Sequence, residues 1–195
     1  KFPWALYRTS PYWVPPLMSM QKHKFDKAKN PSWEHLEGDY FIAWRGSQPV
    51  GTIAAFINHR HNEYHNEHIG FFGAFECIDD PSAASLLVSA AEEWLRARGM
   101  IAIRGPIHPV AENWGFVLEG YDTPPVYLSP WNPPYYHEFF TTTGYEKAKD
   151  LFVYEADMAK GYEIPKRHEE FAARFLVRYP GVTIRRLDRE HLRDD

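Results

Sequence analysis

"GFFGAFECIDDPSAASLL", residues 70–87, is a strand that ends and turns into a helix within four residues. It is apolar on both faces up to Cys77, the pattern of an interior strand. Asp80 then suits the N-cap of a helix and Pro81 its first position. Helix N-termini leave N–H groups free and so receive phosphates, yet Asp79 and Asp80 stand where a phosphate cradle wants glycines. At about 6 Å and an effective dielectric near 20, each carboxylate–phosphate repulsion is roughly 3 kcal/mol. As a cap, by contrast, Asp80 contributes about 0.5–2 kcal/mol. Capping is the favoured reading, and a ligand would have to reach the N–H groups of Ser82, Ala83 or Ala84.

Working outward, Ala83, Ala84, Leu87, Ala91, Trp94 and Leu95 form one stripe of a helix predicted over 81–98, with Gly99 as its stop. "MIAIRGP" (100–106) returns as a strand, giving strand–helix–strand with a right-handed crossover. Upstream, "DYFIAWR" (39–45) and "VGTIAAFIN" (50–58) read as a hairpin turned at 46–49. Residues 2–8 have helical spacing, 10–17 are proline-stiffened and extended, and 21–30 read as a loop or irregular helix. Downstream, "NPPYYHEFFTTTGY" reads as a helix capped by Asn132, opened by Pro133 and stopped by Gly144. Residues 147–157 read as a further strand and 165–178 as a helix. "VTIRRLD" then reads as a strand able to pair with a free sheet edge.

The chain has 195 residues, net charge −4, 16 prolines, 16% aromatics and one cysteine. The acidic balance carries no footprint for nucleic acid. No apolar run approaches the roughly 18 residues a spanning helix needs, so neither membrane nor nucleic acid is an expected partner. A lone Cys77 excludes an internal disulfide framework and fits a reducing cytoplasm. Proline and aromatic content point to rigid, aromatic-lined loops.

Four stretches carry chemistry. Glu76 is an acid at the end of an apolar strand, where burial would raise its pKa toward general-base use; the alternative is an exposed strand end or a partner for Arg104. Cys77 beside it reads as a small buried residue. "NHRHNEYHNEH" (58–68) is rich in histidine, but His59, His61, His65 and His68 show no metal-ligand spacing and read as a hydrogen-bonded hairpin loop. Residues 104–136 are aromatic and irregular. They are candidates to line a pocket, with His108, Asn113, Trp114, Tyr121, Asn132 and Tyr135 as substrate contacts.

The order of elements, with "FFGAFECIDDPSAASLLVSAAEEWLRARGM" and "FFTTTGYEKAKDLFVY" as the best local matches, resembles the GNAT acetyltransferase superfamily over residues 39–157. It looks particularly like bacterial GNAT-like proteins that share "HNEYH", "GFFG" and "NPPYY". The resemblance implies an α/β (α+β) fold: a mixed central sheet with a strand–helix–strand crossover and flanking helices. It implies acyl-CoA, acetyl-CoA included, as cosubstrate without a metal, and a small-molecule or peptide amine as acceptor. Phe75 and Cys77 would hold the pantetheine, and Ser82, Ala83 and Ala84 the pyrophosphate. Glu76 would be the base. The position of the tyrosine that often serves as acid is Phe140 here, and Tyr136, one turn earlier, is its candidate substitute. On this reading residues 1–160 are one GNAT-like domain lacking its first strand, and 161–195 are a linker helix and the opening of a second. A non-catalytic binding or interaction module of the same fold is the alternative, favoured by the aspartates at the junction.

Overall fold

The computed structural model describes every residue except 109–113, 127, 155, 156, 158, 160, 162, 184, 187, 189 and 191–195. The chain divides into two compact units, Lys1–Leu151 and Phe152–Asp195. The first opens with helices α1 (Phe2–Leu6) and α2 (Met18–Phe25) and a 3-10 turn (Pro31–Glu34). Strands β1 (Leu36–Arg45) and β2 (Gln48–Asn58) follow, then helix α3 (His59–His65), strand β3 (Ile69–Cys77), helix α4 (Pro81–Arg96), strand β4 (Ala102–Arg104) and helix α5 (Tyr136–Thr142). The second unit holds helix α6 (Lys166–Arg178). None of the helices among the described residues is long and apolar enough to cross a membrane.

The fold is α+β, with a mixed four-stranded sheet in the order β1-β2-β3-β4. β1, β2 and β3 pair antiparallel, and β3 pairs parallel with β4 across α4. That is the strand–helix–strand unit the sequence announces. The hairpin turn is tighter than the four residues expected, because Gly46 adopts φ +60° and lets β2 start at Gln48. α4 covers one sheet face, burying Ala83, Ala84, Leu87, Val88, Ala91 and Leu95. Each of the larger side chains contributes about 1.5–3 kcal/mol on leaving water. They meet Ile53, Ala55, Ile57, Phe72, Phe75 and Cys77 from the sheet. A smaller cluster of Leu36, Phe56, Ile69 and Phe71, with Trp33 beside it, occupies the other face, where α1 packs on β2 and β3.

Four expectations are corrected. The histidine-rich stretch is a seven-residue helix, because Asn58 caps it by accepting from the His61 N–H at 3.0 Å. Asn132 does not cap α5; its buried side chain is spent on the preceding loop, and Tyr135 holds the N-cap position. No strand forms at 147–154, where the consecutive apolar residues Leu151, Phe152, Val153 and Tyr154 stand exposed with no ladder partner among the described residues. The described residues Val182, Thr183, Arg185 and Arg186 likewise join no ladder; the Val182 N–H instead closes a turn on the Tyr179 carbonyl.

Candidate active site

The decisive local feature is a bulge in β3. Thr52 pairs with Glu76 and Ala54 with Gly73, so Ile53 alone faces both Ala74 and Phe75. Ala74 takes φ +46° to accommodate the extra residue, as bulges require. The bulge reverses the alternation of side chains. Before it, Phe72 faces α4 while Phe71 belongs to the opposite cluster. After it, Phe75 and Cys77 face α4. Glu76 is therefore turned away from the α4 core, toward α1. Without the extra residue the acid would point into the main apolar core.

Glu76 meets two phenols, one of them, Tyr136, belonging to the cluster under α4. Tyr7, from the turn ending α1, donates to Glu76 Oε2 at 2.6 Å, and Tyr136, opening α5, donates to the same oxygen at 2.9 Å. Burial pushes the Glu76 carboxyl up to about 7, and the two phenol hydrogen bonds offset only part of that rise. Burial and the nearby carboxylate both hold Tyr7 and Tyr136 well above the usual phenol range, so both stay neutral donors. A carboxyl that ionises near neutrality is suited to taking a proton from an amine. Arg104 is not its partner: that guanidinium lies 3.8 Å from Glu67.

Beside this acid the β3–β4 ladder ends. The β3–β4 register runs from Ile69↔Ala102 to Phe71↔Arg104, and the Ile107 N–H then bonds the Phe72 carbonyl at 2.8 Å. Gly73 permits the close approach, since a Cβ there would strike the Ile107 carbonyl. Past that point α5 supplies what β4 no longer does. The Ile78 N–H bonds Val50 on β2, so the Cys77 N–H and C=O point the other way. Tyr136 Oη accepts from the Cys77 N–H at 2.7 Å, and the Tyr135 hydroxyl donates to the Cys77 carbonyl at 3.0 Å. The Cys77 thiol is buried and pushed up to about 12, chiefly by desolvation.

The helix junction is equally occupied. Asp80 Oδ1 accepts from the N–H groups of Ser82 (3.0 Å) and Ala83 (3.4 Å), while the Ala84 N–H bonds the Asp80 carbonyl at 3.0 Å. Arg45 pairs with the other Asp80 oxygen. Asp80 thus takes up the helix dipole itself, as capping by an acid predicts.

Of the residues the sequence singles out, Glu76, Tyr135 and Tyr136 come together, with Phe75 under them, its ring 4.9 Å from that of Tyr136. Asn132 is a knot in the loop: it accepts from the Val117 N–H at 2.7 Å and donates to the Tyr121 hydroxyl at 3.2 Å. His108 packs on Phe25, rings 5.1 Å apart, and Trp114 is half exposed in a bridge with Ile107. Asn113 lies outside the described residues. Tyr7 is the functional side chain that sequence reasoning misses. Its ring stacks on Trp13 at 5.0 Å, its hydroxyl is also 3.5 Å from the Trp131 carbonyl, and Trp131 binds the Ser10 hydroxyl at 3.2 Å. The one available signal is a phenol inside the short apolar "FPWALYR" run. Among the described residues no group of three or more His, Cys, Asp or Glu is placed to hold a metal ion.

No family model and no solved structure matches the chain. Two curated relatives do. The chain is 36% identical over 154 residues to "Protein YghO" of Escherichia coli (strain K12), covering 78% of this chain and 39% of that protein. It is 35% identical over 188 residues to "Bacterial ceramide synthase" of Caulobacter vibrioides (strain NA1000 / CB15N), covering 95% of this chain and 48% of that protein. The chain thus spans about half the length, or less, of the curated relatives it matches.

Proposed function

We propose that this chain carries the acid–base centre of an N-acyltransferase that moves an acyl group from acyl-CoA to the nitrogen of a long-chain amine. The observation that carries the reading is Glu76, a carboxyl ionising at about 7 between two neutral phenols, near the end of β3 and beyond its pairing with β4. The similarity to a ceramide synthase supports the substrate class, since a ceramide is a long-chain amino alcohol acylated on nitrogen. In this scheme the Glu76 carboxylate takes a proton from the amine as the nitrogen attacks the thioester carbonyl. The C–N bond forms and the C–S bond breaks. Tyr136 gives its proton to the departing CoA sulfur and recovers one from Glu76, so no charge is stranded in the buried site. The Cys77 N–H, donating to Tyr136 Oη, favours that transfer.

The test is amide formation by the full-length protein from an acyl-CoA and a long-chain amino alcohol, followed by mass spectrometry and by release of free thiol. Glu76→Gln is expected to lower turnover at least 100-fold while acyl-CoA affinity stays within a few-fold. Unchanged turnover in the variant, or no product from the wild type, overturns the proposal. A second reading, a ligand-binding module without catalysis, is favoured by one observation: Asp80 already occupies the Ser82 and Ala83 N–H groups. Acyl-CoA binding without turnover would select it.

A further inference from the structure

The two phenols on Glu76 end on one oxygen. Tyr7 and Tyr136 both donate to Oε2, at 2.6 and 2.9 Å, and Oε1 accepts from none of the described residues. An oxygen buried in that state would be a costly orphan. Oε1 escapes this because Glu76 is only partly buried and the atom keeps accessible surface. Its cross-strand neighbour does not compete for it: Thr52 pairs with Glu76, but its hydroxyl donates to the Ala74 carbonyl at 3.1 Å. One oxygen is thus held and the other is open. The phenols themselves are not equivalent. Tyr136 Oη accepts from the Cys77 N–H, which steadies that oxygen once its proton has gone. The Tyr7 hydroxyl instead faces two acceptors, Glu76 and the Trp131 carbonyl at 3.5 Å, and a phenolate between them would be repelled. Tyr7 is unfit to give up its proton and well fixed to hold. It is 4% exposed, and its ring stacks on Trp13 at 5.0 Å. The Ser10 hydroxyl accepts from the Trp13 N–H at 3.3 Å and from the Trp131 indole at 3.2 Å, tying the segment down.

We infer that Oε1 of Glu76 is the atom on which the acceptor's amine docks and to which it gives its proton, and that Tyr7 is the positioning residue that keeps this oxygen open. An ionised carboxylate is the stronger acceptor, so the Tyr7 hydrogen bond grips it while the base is ready. As the amine nitrogen bonds the thioester carbon, its proton passes to Oε1. The carboxyl is then neutral and the grip weakens. The group turns about Cγ–Cδ and hands the proton to Tyr136, which has lost its own to the CoA sulfur. The inference rests on the N-acyltransferase reading, and half of its test needs no turnover.

Full-length wild type and Tyr7→Phe, which keeps the stacked ring, are compared at pH 9, above the Glu76 ionisation. Infrared difference spectra, each protein against its Glu76→Gln counterpart, isolate the Glu76 carboxylate. In wild type its two stretching bands are expected to be widely split, as for a carboxylate held by one oxygen, and a long-chain amino alcohol is expected to shift them. Tyr7→Phe is expected to narrow the split. The second measurement is turnover: kcat is expected to fall about tenfold in Tyr7→Phe, with KM for the amine within threefold, and to stay low at still higher pH. If kcat instead returns to the wild-type value at high pH, Tyr7 only tunes the ionisation and the positioning role is overturned. An unaltered split in Tyr7→Phe, or no shift with the amine in wild type, overturns the inference as well. No turnover in wild type, with the infrared changes present, sinks the transferase reading and keeps the docking oxygen. Should Tyr7→Phe melt far below wild type, Trp13→Leu serves in its place, since it removes the ring stacked on Tyr7 and leaves the hydroxyl. It is expected to show the same changes to a smaller degree, and their absence there overturns the role of Tyr7.

Discussion

Glu76 costs the folded protein stability at the pH where it would be useful. Its carboxyl ionises at about 7 in the fold, against 4.5 for the ordinary group. Between those values the unfolded chain releases the proton and the folded chain keeps it. Stability therefore falls as pH rises from 4.5 to 7 and is level above that. A displacement of this size is worth about 3 kcal/mol. Glu76→Gln, which keeps an oxygen for the two phenols, is expected to melt several degrees above wild type at pH 8 and close to it at pH 4.5. Equal melting points at pH 8 would mean that the acid is not desolvated. Tyr7→Phe removes one of the two hydrogen bonds that hold the Glu76 value down. The ionisation of Glu76, followed by carboxyl NMR or a pH–rate profile, is expected to move to higher pH in that variant.

α4 begins on a residue that occupies the N–H groups its position would offer an anion. Asp80 fills two N–H groups and pairs with Arg45. Asp80→Ala is expected to cost about 1 kcal/mol as a lost cap, a fall of some 2–4 °C in Tm. The same change frees the Ser82 and Ala83 N–H groups and removes a negative charge. Binding of inorganic pyrophosphate, measured by calorimetry, is then expected to strengthen in the variant. If pyrophosphate binds wild type and variant alike, the helix N-terminus is not where anions dock. The bulge in β3 acts at the same scale: one residue beyond the regular ladder decides which face receives Glu76.

For the whole molecule, ligand linkage is the direct test of cosubstrate use. A ligand at 100 times its Kd adds about 2.7 kcal/mol to stability, or roughly 5–10 °C in Tm for a protein of this size. Acyl-CoA is expected to produce that rise both in the 195-residue chain and in the full-length protein. A rise in the longer protein alone would assign the CoA site to sequence outside these residues. No rise in either would leave the acid–base centre without its donor.

The sheet and its crossover are legible in the sequence because their causes are local. The Gly46 turn, the two-sided apolar run of β3, the stripe of α4 and the Asp80-Pro81 start are each set by neighbours within a few residues. Glu76 is legible for the same reason, as one acid in an apolar strand. The elements misread from sequence are those whose state depends on a distant partner. Residues 147–154 end in a β-forming apolar run but have no ladder partner among the described residues, and Asn132 sits like a cap but is drawn to Val117 and Tyr121. Tyr7 stands 69 residues from the acid it binds, and no local pattern records that contact. Sequence by itself determined that an acid stands at the end of an interior strand. The tertiary structure alone decided which face it turns to and which phenols hold it, because a bulge sets side-chain parity and long-range packing sets the neighbours.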